Sequence, residues 1–156
     1  MRHSVNYHFC QRFHVPALEA YEWCTNYDPI DPALMHEKAE RRISRICEGT
    51  ILLTDTYPTR DRSIRKQKLV NLYPDRLSWT STHLTGPNKY SQFLYEIVPE
   101  GKKASRLEFR GLHIERARKE DLDEKRIESL ANRLRDEDST AWILLAGEME
   151  GELGTY

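Results

Sequence analysis

His3-Ser4-Val5-Asn6-Tyr7-His8-Phe9-Cys10-Gln11-Arg12-Phe13 alternates: Val5, Tyr7, Phe9 and Phe13 share one parity, and mostly polar residues fill the other. Period two means a strand with one buried face. The other end of the chain changes period. Ile127, Leu130, Ala131, Leu134, Ala141, Leu145 and Met149 recur at spacings of three, four and seven, the stripe of an amphipathic helix. Between them lie a short helical patch and some seventy residues of strand-like runs. An antiparallel sheet wrapped around one long C-terminal helix can leave a cavity between the two, and function would lie there.

Working outward from the first strand, Val15-Pro16 ends it, and Pro16 suits the first turn of a helix, where its missing N–H costs nothing. Ala17 to Cys24, with Leu18, Tyr21 and Trp23, predicts two helical turns. Asp31-Pro32 is a cap and first residue for a second short helix running through Met35. From Arg41 strands return. Ile43 and Ile46 sit on a charged segment, which predicts a strand at an edge or heavily exposed. Runs at Thr50 to Tyr57, Arg65 to Tyr73, Leu77 to Leu84, Tyr90 to Val98 and Arg106 to Ile114 are separated by turn residues such as Glu48-Gly49, Pro74-Asp75-Arg76 and Gly86-Pro87-Asn88-Lys89. That is a meander of hairpins. Asp121, with Glu124 three residues on, is the expected cap of the last helix. The stripe keeps phase across Asp136-Glu137-Asp138-Ser139, which predicts one continuous helix to about Glu150, although Asp138 or Ser139 could cap a second segment.

Composition sets the bounds. A chain of 156 residues fits one domain, residues 1–156, and can bury a real core. It is 38% hydrophobic and 31% charged, an ordinary globular balance. Lys plus Arg is 24 against 25 for Asp plus Glu, so no basic excess points to nucleic acid. Cys10, Cys24 and Cys47 are odd in number and show no paired spacing, unlike a secreted disulfide framework. No apolar run approaches the roughly eighteen residues needed to span a bilayer, and no signal segment opens the chain. The expectation is a cytoplasmic protein with reduced thiols and no integral membrane segment.

Strand, two short helices, six strands in a meander and a long C-terminal helix: this order resembles the START-like, or helix-grip, superfamily. That superfamily includes plant pollen-allergen proteins, lipid-transfer START domains and polyketide cyclase/dehydratase-like proteins. Phe13-His14-Val15-Pro16-Ala17 is similar to the family's passage from first strand through a proline into the first helix, and Leu77-Ser78-Trp79-Thr80-Ser81-Thr82 resembles its middle strands. The resemblance covers residues 3–150 and rests on architecture, since the superfamily has no universal catalytic motif. It implies an α+β fold: a curved antiparallel sheet of about seven strands gripping the final helix, with two short helices after strand 1. It also implies a large apolar cavity for a hydrophobic small molecule such as a lipid, polyketide or aromatic compound. Fold alone does not fix chemistry.

No His-Glu-x-x-His, paired Cys-x-x-Cys, Gly-x-Ser-x-Gly or glycine-rich phosphate loop occurs, so neither a metal nor a cofactor is expected. His83, His113 and Asp55 fall on the apolar parity of their strands, where a polar group is either a satisfied structural element or one that orients a ligand. They are the candidate acid/base residues. Tyr7, Phe9, Tyr57, Trp79, Phe93, Tyr95 and Phe109 form an inward aromatic set, joined from the helix by Leu134, Trp142 and Leu145 as candidate ligand contacts. The run Arg60, Arg62, Arg65, Lys66 and Lys68 reads as a solvated loop and edge strand. Cys10 and Cys47 read as packed small residues. Three functions fit: a carrier for a hydrophobic ligand, a cyclase/dehydratase-type enzyme using the same cavity, and a chaperone-cofactor-like interaction module. The first needs only the cavity and is preferred. Oligomeric state is not encoded in these patterns.

Overall fold

The computed structural model describes residues 2–28, 38–121 and 123–154. Seven strands form one antiparallel sheet: β1 (Arg2–Phe13), β2 (Glu40–Cys47), β3 (Thr50–Pro58), β4 (Ser63–Tyr73), β5 (Ser78–His83), β6 (Gln92–Pro99) and β7 (Ser105–Arg116). Their spatial order is β1-β7-β6-β5-β4-β3-β2. Consecutive strands from β2 to β7 are hairpin neighbours, and β1 pairs with β7, so β1 and β2 are the two edges of the sheet. β2 is an edge strand, as its charge predicts. A short helix, α1 (Ala17–Thr25), follows β1, and a long one, α2 (Glu124–Leu153), ends the fold. This is the helix-grip arrangement. The second short helix expected from Asp31 to Met35 lies outside the described residues.

α2 is continuous through residues 136–139. The hydroxyls of Ser139 and Thr140 donate back to the Asp136 carbonyl at 3.2 and 2.7 Å, so these poor helix formers bond within the helix instead of breaking it. Its cap is Asp123, which accepts the Arg126 N–H at 2.8 Å, not Asp121. A 3-10 turn over Lys119–Asp121 delays the helix by two residues, and Asp121 pairs instead with the Arg126 guanidinium at 3.1 Å.

The register lines up the concave face in rows. One is aromatic: Phe9, Phe109, Tyr95 and Trp79 are successive cross-strand partners, continued by Leu72. The next runs Tyr7, Gly111, Phe93, Ser81, Val70 and Ile51. A third, toward the other end of the strands, contains Val5 with His113 and then His83, Lys68 and Leu53. Phe13, Val15, Ala20, Leu107 and Met149 are fully buried where α1, β1, β7 and α2 meet. Polar bonds tie the helices down there. Ser105 Oγ donates to the Val15 carbonyl at 2.7 Å, the Tyr21 hydroxyl to the Ser78 carbonyl at 3.0 Å, and the His14 N–H to Glu150 at 2.8 Å.

Along α2 the apolar stripe faces inward, yet only Ala146 and Met149 are fully buried. Ala131, Leu134 and Trp142 are half-buried while packing on the core. A helix face that points at a sheet without being fully covered has open space beneath it.

Candidate functional site

That space is a cavity of about 510 Å³ between the sheet, α1 and α2. Its sheet wall is Leu53, Tyr57, Lys68, Val70, Trp79, Ser81 and Tyr95; α2 contributes Ala141, Trp142, Leu145, Glu148 and Glu152; α1 and the residues after it contribute Trp23, Cys24, Asn26, Tyr27 and Asp28. The floor is a stacked pair. The Trp79 and Tyr95 rings lie 4.6 Å apart with 1° between their planes. The register dictates this, because the two residues are opposite each other on β5 and β6. Tyr21 meets Trp79 edge-on at 5.8 Å, and Phe109 meets Tyr95 edge-on at 5.2 Å. Trp142 stands over Tyr95 at 5.9 Å.

Five of the sequence-derived ligand residues line the cavity: Tyr57, Trp79, Tyr95, Trp142 and Leu145. Phe9, Phe93 and Phe109 lie beside it, packed ring on ring, with Phe9 stacked on Phe109 at 4.5 Å and Phe93 at 5.8 Å from Phe109. Tyr7 tilts against Phe109 at 5.8 Å. Leu134 packs against the core from α2. These support the wall instead of forming it.

The three candidate acid/base residues have partners of their own. Asp55 is fully buried and takes two hydrogen bonds from Arg41, Nε to Oδ1 at 2.7 Å and Nη2 to Oδ2 at 2.9 Å. Such a planar two-point pair is the geometry a buried guanidinium and carboxylate need. His113 is buried with Nε2 at 2.6 Å from Glu115. His83 tilts on Phe93 at 5.0 Å. Burial first, then the Lys68 ammonium and other cations, push the His83 imidazole down to about 4, so it is neutral at pH 7. None of the three is among the lining residues. Asp55 reaches the cavity through Arg41, which lines it.

Lys68 overturns its reading as part of a solvated edge. β4 is an interior strand between β3 and β5, and Lys68 shares the parity of Val70, which points into the fold. That parity was the available signal. The run of neighbouring charges masked it. Burial pushes the Lys68 ammonium below the usual lysine range. Cys10 and Cys47 are exposed, not packed: Cys10 lies on the outward parity of β1, and a register shift between Arg45 and Cys47 sets Cys47 opposite the outward Thr50. Cys24 is the cysteine in the cavity wall, and burial holds its thiol well above the usual range.

On the opposite face of the sheet, His8, Cys10 and Glu108 bring one nitrogen, one sulfur and one oxygen within 4.8 Å of each other. The Cys10 thiol donates to Glu108 at 3.0 Å, and Arg106 holds the same carboxylate at 2.5 Å. The Glu108 bond, with burial second, raises the Cys10 pKa. That disfavours the thiolate a metal would need.

No family model matches the chain, and no curated protein matches it in sequence. Solved structures match in shape. The Zhui aromatase/cyclase from Streptomyces sp. R1128 superposes with a TM-score of 0.71 at 15% identity, covering 95% of this chain and 94% of that one. Ara h 8.0201 gives 0.68 at 8% identity over 98% of each chain. Norcoclaurine synthase from Thalictrum flavum, solved with dopamine and hydroxybenzaldehyde, gives 0.64 at 13% identity, covering 93% of this chain and 84% of that one. The chain has the helix-grip, START-like fold. Among the described residues, no helix is long and apolar enough to cross a membrane.

Proposed function

We propose that this protein binds a hydrophobic, planar small molecule in the cavity between the sheet and α2. The observation that carries this reading is the 510 Å³ cavity floored by the stacked Trp79–Tyr95 pair. A packed core would have closed this space, since voids in protein interiors are normally small. Aromatic walls with a few polar groups suit a flat ring system. The fold neighbours support the same direction, one being an aromatase/cyclase and another crystallised with two aromatic compounds.

The test is a fluorescence titration with N-phenyl-1-naphthylamine, an uncharged apolar probe, beside native mass spectrometry of the purified protein for a co-purified ligand. Micromolar binding is expected in the wild type. Leu145→Trp, which fills the cavity from α2, should weaken it at least tenfold, about 1.4 kcal/mol. Absence of binding to ligand-free wild type would overturn the reading.

An enzyme of the cyclase/dehydratase type is the second reading. What favours it is the row that places His113, His83 and Lys68 along one end of the concave face. In it His83 or His113 would transfer the proton. Turnover that survives His83→Gln together with His113→Gln would eliminate that assignment.

A further inference from the structure

Lys68 is the cavity group that the fold leaves unsatisfied. It extends from the middle of β4 between its cross-strand partners Leu53 and His83, and it lines the cavity. Among the described residues its ammonium has no ion pair and no hydrogen bond. The two carboxylates whose charge reaches it are both engaged elsewhere. Asp55 is held at both oxygens by Arg41, and Asp138 accepts the Tyr7 hydroxyl. A second cation, Arg41, stands in the same wall with its charge already matched by Asp55. A charged group in an apolar wall is costly unless something pairs with it. Lysine in such a place is uncommon without a partner.

The remaining charges of the cavity are acidic and come from other elements. Glu148 and Glu152 are on α2 and Asp28 follows α1. Glu152 already accepts the Trp23 indole N–H at 2.7 Å. The cavity therefore has an acidic side on the helices and, on the sheet, a cation that no described residue pairs directly. A ligand with one negative end has one favourable orientation in it.

We infer that the ligand is an aromatic compound carrying an anionic oxygen, a carboxylate or an ionised phenol or enol, which Lys68 receives while the ring lies on Trp79 and Tyr95. This rests on the cavity being a binding site and adds the polarity of what it binds. The contact is an ammonium-to-oxyanion hydrogen bond, shorter and stronger than a neutral one. No covalent step is involved.

The test compares two ligands of nearly the same shape by calorimetry at pH 7.5: 2-naphthoate, which is charged, and 2-naphthamide, which is not. Wild type should bind 2-naphthoate at least tenfold more tightly. Lys68→Met should reduce that preference to less than about twofold, and Lys68→Arg should retain it. Equal affinities in the wild type, a preference for 2-naphthamide, or a preference that survives in Lys68→Met would overturn the inference. The wild-type comparison stands without any variant. If N-phenyl-1-naphthylamine binds and neither naphthyl compound does, the inference fails and the cavity reading survives. If none of the three binds, the cavity reading itself has failed.

Discussion

The Tyr7 hydroxyl donates to the carboxylate of Asp138, a residue 131 positions later in the chain. The bond joins β1 to the middle of α2. Burial raises the pKa of both groups. For Asp138, the Tyr7 bond first, and then the nearby His113 and Lys68, act against that rise. Tyr7 is thus the group that makes a half-buried carboxylate tolerable beneath the helix.

Tyr7→Phe should cost about 1–3 kcal/mol at neutral pH, the range for leaving one partner of a buried hydrogen bond unpaired. It should also raise the Asp138 pKa further, which carboxyl NMR can follow. The protonated carboxyl has less need of a donor, so the deficit should shrink as pH falls through the Asp138 titration. A deficit that stays constant across that range would show that it does not come from the ionised Asp138 carboxylate.

Gly111 is what lets the Tyr7 ring lie where it does. A Cβ at this position would sit 2.6 Å from Tyr7 Cζ and 2.7 Å from Cε1. The ring is anchored at its hydroxyl by Asp138, so it cannot swing aside freely. Gly111→Ala should destabilise by about 1–3 kcal/mol. In a Tyr7→Ala background the same change should cost much less. A double-mutant cycle by urea unfolding measures the coupling.

Arg41 and Asp55 form a pair whose side chains are 10% and 1% exposed. Removing one partner strands a charge, so Asp55→Ala should cost about 3–5 kcal/mol. Replacing both, as in Arg41→Met with Asp55→Leu, should cost markedly less. Thermal unfolding of the two variants decides. If the double variant is the worse of the two, the pair contributes more than mutual neutralisation.

His83 should make stability depend on pH in a defined window. Its folded pKa of about 4 lies below the ordinary 6.5. Between those values the unfolded chain binds more protons than the folded one, so stability rises with pH there and is lost on acidification from about 6.5 to 4. The loss from this residue is at most about 3.5 kcal/mol, since each pKa unit is worth about 1.4, and partial solvent access reduces it. His83→Gln should flatten that part of the profile. An unchanged slope would remove His83 as its source.

Much of this architecture was legible in the residues because period reports directly on which face is buried. Val5, Tyr7, Phe9 and Phe13 marked β1, and the stripe from Ile127 to Met149 marked α2, including its continuity through residues 136–139. Parity also placed Trp79 and Tyr95 on the concave face, where the cavity floor is found. What parity could not do was divide the inward residues between wall and packing. Phe93 and Phe109 share the parity of Tyr95 and Trp79, yet they pack beside the cavity. That division depends on the curvature of the sheet and the line of α2 across it, which no single strand encodes. Partner choice was equally hidden. Asp55 is satisfied by Arg41 of β2, and Tyr7 by Asp138 of α2, contacts set by sheet register and helix docking. Lys68 shows the limit most clearly. In its own segment it is one of several charges that water could solvate. Only the pairing of β4 between β3 and β5, with α2 laid above, turns that half-buried side chain into the cavity wall, because burial is a property of the whole packed chain and not of any stretch of it.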